Sequence, residues 1–153
     1  MPAPDLAEAQ VAAAAPIPAL LAAVKEEPGD VERVKAFWRA YLALPMWLFI
    51  ARGSADAPEP FMAVIDGRPT LLVFSSASGA QAAGIAVGLS QEEAALILAV
   101  PGAHAVDWVA SAAQRGVLDL QVDRHLGGFI VPVTAVPRIR AELAREDAAT
   151  AGE

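Results

Sequence analysis

The chain of 153 residues contains no cysteine. This absence excludes disulfides, thiolate metal sites, a cysteine nucleophile and a cysteine-borne sulfur carrier. Positive charge is also scarce, because 11 Lys and Arg stand against 18 Asp and Glu and give a formal net charge of -7. A phosphate backbone or an anionic lipid surface would on average repel such a chain, so we expect neither a nucleic-acid partner nor a membrane partner.

Membrane-crossing and secretion signals are weak. The apolar run from Ala43 to Ala51 contains Pro45 and spans less than half of the roughly 20 residues that a transmembrane helix needs. Asp5 and Glu8 stand near the amino terminus, where a secretory signal has a basic region followed by an apolar core. These features predict a cytoplasmic protein.

The segment Pro60–Ser76 carries the clearest structural pattern. Two short apolar arms flank the four residues Asp66-Gly67-Arg68-Pro69, which are rich in turn formers. This arrangement predicts a β-hairpin that leads into a helix. Asp66 and Arg68 are interpreted as turn residues, with a local ion pair between them as a further role.

Other segments show helical or strand periodicity between breakers. The predicted helices begin at Asp5, Ile17, Asp30, Gly79, Gln91, Ala103 and Pro137, and the predicted strands outside the hairpin are 46–51, 117–122 and 129–136. Asp5 and Asp30 are predicted caps, and Ser78 with Gln81 and Ser90 with Glu93 have the capping-box spacing. Pro132 marks the last strand as an edge or a bulge.

This order of elements predicts an α+β fold, with a single mixed β-sheet of about five strands and helices packed against it. Residues 1–16 are predicted to be a loosely ordered arm, because their alanine-rich helix is short and is followed by two prolines. Residues 17–140 form the predicted domain. Residues 141–153 are predicted to be a short helix end and a mobile acidic tail, and residues 52–60 a polar loop.

Asp119, Gln121, Asp123 and His125 form the main concentration of ligand-type side chains. Their i, i+2 spacing along a strand separates neighbours by roughly 6 to 7 Å, which is too far for them to share one metal ion without other segments. We therefore interpret this face as solvated and predict neither a metal ion nor a cofactor.

Two further groups of residues are candidates for a functional role, one aromatic and one of serines. His104 and Trp108 lie one helical turn apart and, with Trp47, are the candidate partner or ligand surface. Ser75, Ser76 and Ser78 lie between a strand and a helix, but the G-x-S-x-G pattern of a nucleophile elbow is absent. Helix capping explains these serines, and no catalytic residue is predicted.

The chain resembles the amino-terminal domain of the SseB family. The resemblance rests on FWRAYL at 37–42, MWLFI at 46–50, the hairpin at 60–76, and the later block 105–122, and it extends from Ile17 to Ile139. It implies a small cytoplasmic bacterial protein of poorly defined biochemical role, sometimes mentioned beside sulfur transfer. No catalytic residues transfer with it, and without cysteine any sulfur role would be an accessory one.

The leading hypothesis is a non-enzymatic protein-interaction or regulatory domain whose partner is another protein. A homodimer through the strand that contains Pro132 is one form of such an interaction. A small-molecule-binding domain with a cleft lined by Trp47 or Trp108 is the alternative. A hydrolase or transferase that uses Asp107, Asp119, Asp123 or His125 comes third.

Overall fold

The computed structural model describes residues 6–54 and 56–152 and has an α+β fold. Its helices are α1 (Leu6–Ala14), α2 (Ile17–Glu26), α3 (Val31–Leu42), α4 (Ala77–Ala86), α5 (Gln91–Ala94), α6 (Gly102–Ser111) and α7 (Ala135–Ala151). Its strands are β1 (Met46–Ser54), β2 (Ala57–Pro60), β3 (Met62–Ile65), β4 (Arg68–Val73), β5 (Ile97–Pro101), β6 (Asp119–Val122) and β7 (Ile130–Pro132). Short 3₁₀ turns follow α6 and β6.

The strands form two sheets instead of the predicted single sheet of about five strands. One has the order β2-β1-β5 and the other β3-β4-β6-β7, in which β4 and β6 run parallel. A single antiparallel pair, Leu48 with Phe74, connects them through hydrogen bonds in both directions. The predicted fold class is confirmed, and β7 with its Pro132 lies at a sheet edge as expected.

The predicted hairpin is present as β3 and β4, with a tighter turn than expected. Asp66 and Gly67 are its two central residues, with φ angles of 52° and 76°. Positive φ at both positions is typical of the two-residue turns that match strand twist. Arg68 already pairs with Ile65 in the ladder. The guanidinium of Arg68 binds Asp119 at 2.6 Å, so the expected tip pair with Asp66 is wrong.

Local helix signals place α3 and α5 correctly. The Asp30 carboxylate accepts hydrogen bonds from the N–H groups of Glu32 and Arg33, and the capping box between Ser90 and Glu93 is complete. At α4, the cap is Ser76, whose hydroxyl accepts the N–H of Gly79, instead of the predicted Ser78.

The predicted helix after Ser90 is wrong beyond Ala94. Residues Ile97–Pro101 form β5, which pairs antiparallel with the first half of β1. An apolar run of this length fits a buried helix or a strand equally well, and pairing with β1 decides between them. The predicted polar loop 52–60 likewise contains strand, since the second half of β1 pairs with β2.

The described residues near both ends of the chain make more contacts than the sequence predicts. Asp5, the predicted cap of the first helix, lies outside the described residues. Within α1, the Gln10 side chain is buried and bonded to the sheet. At the other end, α7 continues as a helix through the predicted acidic tail to Ala151, and Glu146 forms ion pairs with Lys35 and Arg39 of α3.

Apolar side chains pack on both faces of the sheets. Along β1, Trp47 and Phe49 face the larger core, which includes α2, α3, α6 and α7. Leu48 and Ile50 face a smaller core with α4. Because strand side chains alternate between faces, the apolar first half of β1 is buried from both sides.

The segment Leu6–Glu26 is long and apolar enough by composition to cross a membrane, with a mean hydropathy of 1.5 and 22% of its best window buried in the molecule. Core helices and signal sequences pass the same test. Here Ile17, Leu21 and Val24 supply the buried face of α2.

Candidate functional site

Asp119 and Gln121 of β6 and Asp123 directly after it are buried, so the predicted solvated face is wrong for these three residues, whereas His125 is exposed. Asp119 and Gln121 are 7% and 8% exposed, and Asp123 is fully buried. The cause is that β6 is an inner strand and that the chain after it folds back over this face, where Gln121 donates to the carbonyl of Gly128 at 2.8 Å. Among the described residues, no group of three or more His, Asp or Glu side chains is placed to hold a metal ion.

Asp123 joins the carboxyl ends of the parallel strands β4 and β6. Its carboxylate accepts the N–H of Ser75 at 2.8 Å and the Ser75 hydroxyl at 2.7 Å. The Tyr41 hydroxyl lies 3.4 Å from the same carboxylate. Burial raises the pKa of Asp123 although these hydrogen bonds oppose the shift, and burial beside Asp123 raises the pKa of Tyr41.

His125 does not form a catalytic pair with Ser75. Its ring packs against the Phe74 ring, with centroids 5.9 Å apart, and also covers Gly79, where any Cβ would overlap the imidazole. The Ser75 hydroxyl donates to Asp123 instead. This arrangement holds the start of α4 against the turn after β6, and it leaves Ser75 without a histidine in contact.

The three residues of the predicted surface occupy different environments. Trp47 is fully buried, and its indole N–H donates to the carbonyl of Tyr41 at 3.1 Å, so it does not contribute to a surface. His104 is exposed. Trp108 is half-buried against Phe49 and lines a hollow of about 250 Å³ between α6 and β3.

A larger opening, which we call the α1 groove, lies between α1 and the start of α4 and has a volume of about 660 Å³. Its floor consists of Met46 and Leu48 from β1 and Ala99 from β5. Leu6 and Val11 of α1, which are 63% and 71% exposed, form one wall. The chain from Ser75 to Ser78 forms the other.

Gln10 explains why α1 lies at this place. Its side-chain amide donates to the carbonyl of Met46 at 3.0 Å and accepts the N–H of Met46 at 2.9 Å, as a residue of a neighbouring strand would. The same amide donates to the carbonyl of Ser75 at 2.9 Å. β4 turns away from β1 into α4 at this point, and the side chain of Gln10 makes the hydrogen bonds to Met46 of β1 that a continuing strand would make.

The segments around the α1 groove carry few charges. No Asp, Glu, Lys or Arg occurs in 69–91 or in 94–106, which contain the end of β4, α4 and β5. Charged residues are depleted in the buried centres of protein interfaces, whereas apolar side chains there are common. The composition of this side of the molecule fits a surface that another molecule covers.

Among the described residues, no strand pairs with the outer edge of β5 beside the α1 groove. β5 is the outer strand of its sheet, and the N–H of Ala51 donates to the carbonyl of Leu96. Because hydrogen-bonded pairs alternate in an antiparallel ladder, the backbone groups of Ile97 and Ala99 point away from β1. An extended chain is the structure that such an edge pairs with.

The sequence patterns do not indicate the α1 groove, because Gln10 and Ala99 acquire their positions only through contacts with distant β1. Among protein-family models, curated proteins and solved structures, nothing matches this chain.

Proposed function

We propose that this chain is a non-enzymatic protein-interaction or regulatory domain of the SseB-like type. In this proposal it binds an extended, uncharged segment of a partner protein along β5, with apolar side chains of that segment in the α1 groove. The observation that carries the proposal is the uncharged groove of about 660 Å³ beside an open strand edge. The resemblance of 17–139 to SseB proteins supports it independently.

Geometry favours an added strand as the way of binding. A segment paired with β5 would place every second side chain on the same sheet face as Ala99, which is part of the groove floor. Main-chain hydrogen bonds would then supply affinity, and the groove would select apolar side chains. A charged side chain there would lose its hydration without gaining a counter-ion.

The candidate acids of the enzymatic alternative are engaged elsewhere. Asp107 binds Arg140 at 2.8 Å, Asp119 binds Arg68, and Asp123 accepts hydrogen bonds from Ser75. These contacts give each carboxylate a structural role, which supports a binding function over a catalytic one.

Selection from a displayed library of random peptides about 12 residues long tests the proposal. We expect enriched peptides with apolar residues at alternate positions. Binding of one such peptide, measured by fluorescence anisotropy, should weaken about tenfold or more in Val11→Glu, because the bound peptide would strip water from the new carboxylate on the groove wall. Val64→Glu is the matched control, since Val64 of β3 is 75% exposed, like the 71% exposed Val11, but does not line the groove.

Equal weakening by Val11→Glu and Val64→Glu would contradict the groove as the site. A library without enriched peptides would contradict binding of extended segments altogether.

A further inference from the structure

A separate hollow of about 210 Å³ lies where α3 and α7 meet the turn between α2 and α3. We call it the Trp38 hollow. Its lining is mostly apolar and includes Val31, Val34, Ile139 and Leu143. Trp38 forms part of the lining, is only 2% exposed, and packs edge-on against the rings of Phe37 and Phe129.

The indole N–H of Trp38 has no acceptor among the residues that the structure describes. No hydrogen bond involves its Nε1, whereas the equivalent atom of Trp47 donates to Tyr41. Among the described residues, every sealed side-chain nitrogen or oxygen has a hydrogen-bond partner. Nε1 of Trp38 therefore keeps some exposed surface, and Trp38 is one of the residues that line the hollow. Buried indole N–H groups usually find a partner, so this donor is free for a ligand.

Charges at the rim disfavour an anionic ligand. Lys35 lines the hollow, but its ammonium is paired with Glu146, and Glu32 lies 3.9 Å from it. Glu142 also lines the hollow. The nearby Arg39 is paired with Glu146 and Asp147, so both of these cations are already engaged by carboxylates.

We propose that the Trp38 hollow binds a small neutral molecule with an apolar body and one hydrogen-bond acceptor. The class is an alcohol or ketone of about eight non-hydrogen atoms, by comparison with the apolar cavity of about 150 Å³ that holds benzene. Its oxygen accepts the Trp38 N–H while its apolar part contacts Val34 and Leu143. This site is distinct from the α1 groove and does not depend on the proposed protein interaction.

Benzyl alcohol, toluene and benzoate are suitable probes, because they share a ring and differ in acceptor and charge. Each is titrated into ¹⁵N-labelled full-length protein, and the indole N–H signals of the three tryptophans are followed by NMR. Benzyl alcohol should shift the Trp38 signal in a saturable way and leave those of Trp47 and Trp108 in place. Toluene, which lacks an acceptor, should bind about five- to tenfold more weakly, the equivalent of one neutral hydrogen bond. Benzoate should not saturate.

Two pairs of variants complete the test. Val31→Phe fills the hollow from an exposed position and should abolish the shift, whereas Val64→Phe on β3 should preserve it. Trp38→Phe removes the donor. In this variant, where the Trp38 signal is lost, the amide signal of Gly29 follows binding, and benzyl alcohol should bind no more tightly than toluene. An unmoved Trp38 signal, equal affinities for benzyl alcohol and toluene, or an undiminished shift in Val31→Phe would each overturn the proposal.

Discussion

Asp123 is the residue that fixes the junction of the two parallel strands. Its φ of 40° is left-handed, a conformation that Asp tolerates better than most residues. The carbonyl of Asp123 accepts the N–H groups of Leu126 and Gly128, while its side chain binds Ser75. One residue therefore sets both the direction of the chain after β6 and the start of α4.

Replacing Asp123 tests this role. We expect Asp123→Ala to lower the free energy of unfolding by roughly 3 to 5 kcal/mol, because two donors of buried Ser75 lose their acceptor and alanine is strained at this φ. Asp123→Asn retains an acceptor and tolerates the backbone conformation, so it should cost about 1 to 2 kcal/mol. Urea unfolding measures both, and a loss below 1 kcal/mol in Asp123→Ala would contradict the assigned role.

The contrast between Asp30 and Asp123 shows what can be read from sequence at this scale. Asp30 caps residues two and three positions away, so its role is visible in local spacing. Asp123 binds a serine 48 positions away, and Gln10 binds carbonyls 36 and 65 positions away. Strand alternation correctly separates Leu120 from Asp119 and Gln121, but it does not reveal that both faces are covered.

Among the elements, α5 is short because tertiary pairing takes over from local preference. The capping box starts the helix at Ser90 as the spacing predicts, yet the helix ends at Ala94 and the apolar residues 97–101 pair with β1. The β3–β4 hairpin was predictable for the opposite reason, since Asp66-Gly67 is a local turn signal. The α1 groove depends on β5 and is therefore hidden from local patterns.

The cap of α5 predicts a specific titration. The N–H of Ser90 and the guanidinium of Arg52 both hydrogen-bond Glu93 and lower its pKa from 4.5 to about 2. Because the pKa of Glu93 is lower in the folded state, its ionised carboxylate stabilises the fold above pH 4.5. This stabilisation is lost as the pH falls towards about 2. In Arg52→Gln the pKa of Glu93 should rise but stay below 4.5, since the Ser90 hydrogen bonds remain.

Carboxyl carbon NMR titration measures this pKa directly. An unchanged pKa in Arg52→Gln would show that the ion pair does not form in solution.

At the scale of the whole molecule, charge is divided unequally between two sides. The segments 69–91 and 94–106 beside the α1 groove lack charged side chains, while α3 and α7 meet through the pairs of Lys35 and Arg39 with Glu146. Exposed ion pairs of this kind contribute little, so α7 is held chiefly by its apolar contacts with the larger core. Val136 and Leu143, which are 0% and 5% exposed, supply those contacts.

Two truncations separate the packed part of α7 from its exposed end. Ending the chain after Arg140 removes Leu143 from the core and should lower the free energy of unfolding by about 2 to 4 kcal/mol, as large-to-small core substitutions do. Ending it after Asp147 retains Leu143 and Glu146 and removes described residues that are all exposed, so the change should stay within about 0.5 kcal/mol. Urea unfolding of both forms against the full chain gives the comparison. Equal stability of all three forms would mean that α7 beyond Arg140 is the loosely attached tail that its composition suggests. A large loss of stability in the form that ends after Asp147 would mean that the last turns of α7, and not Leu143, stabilise the fold.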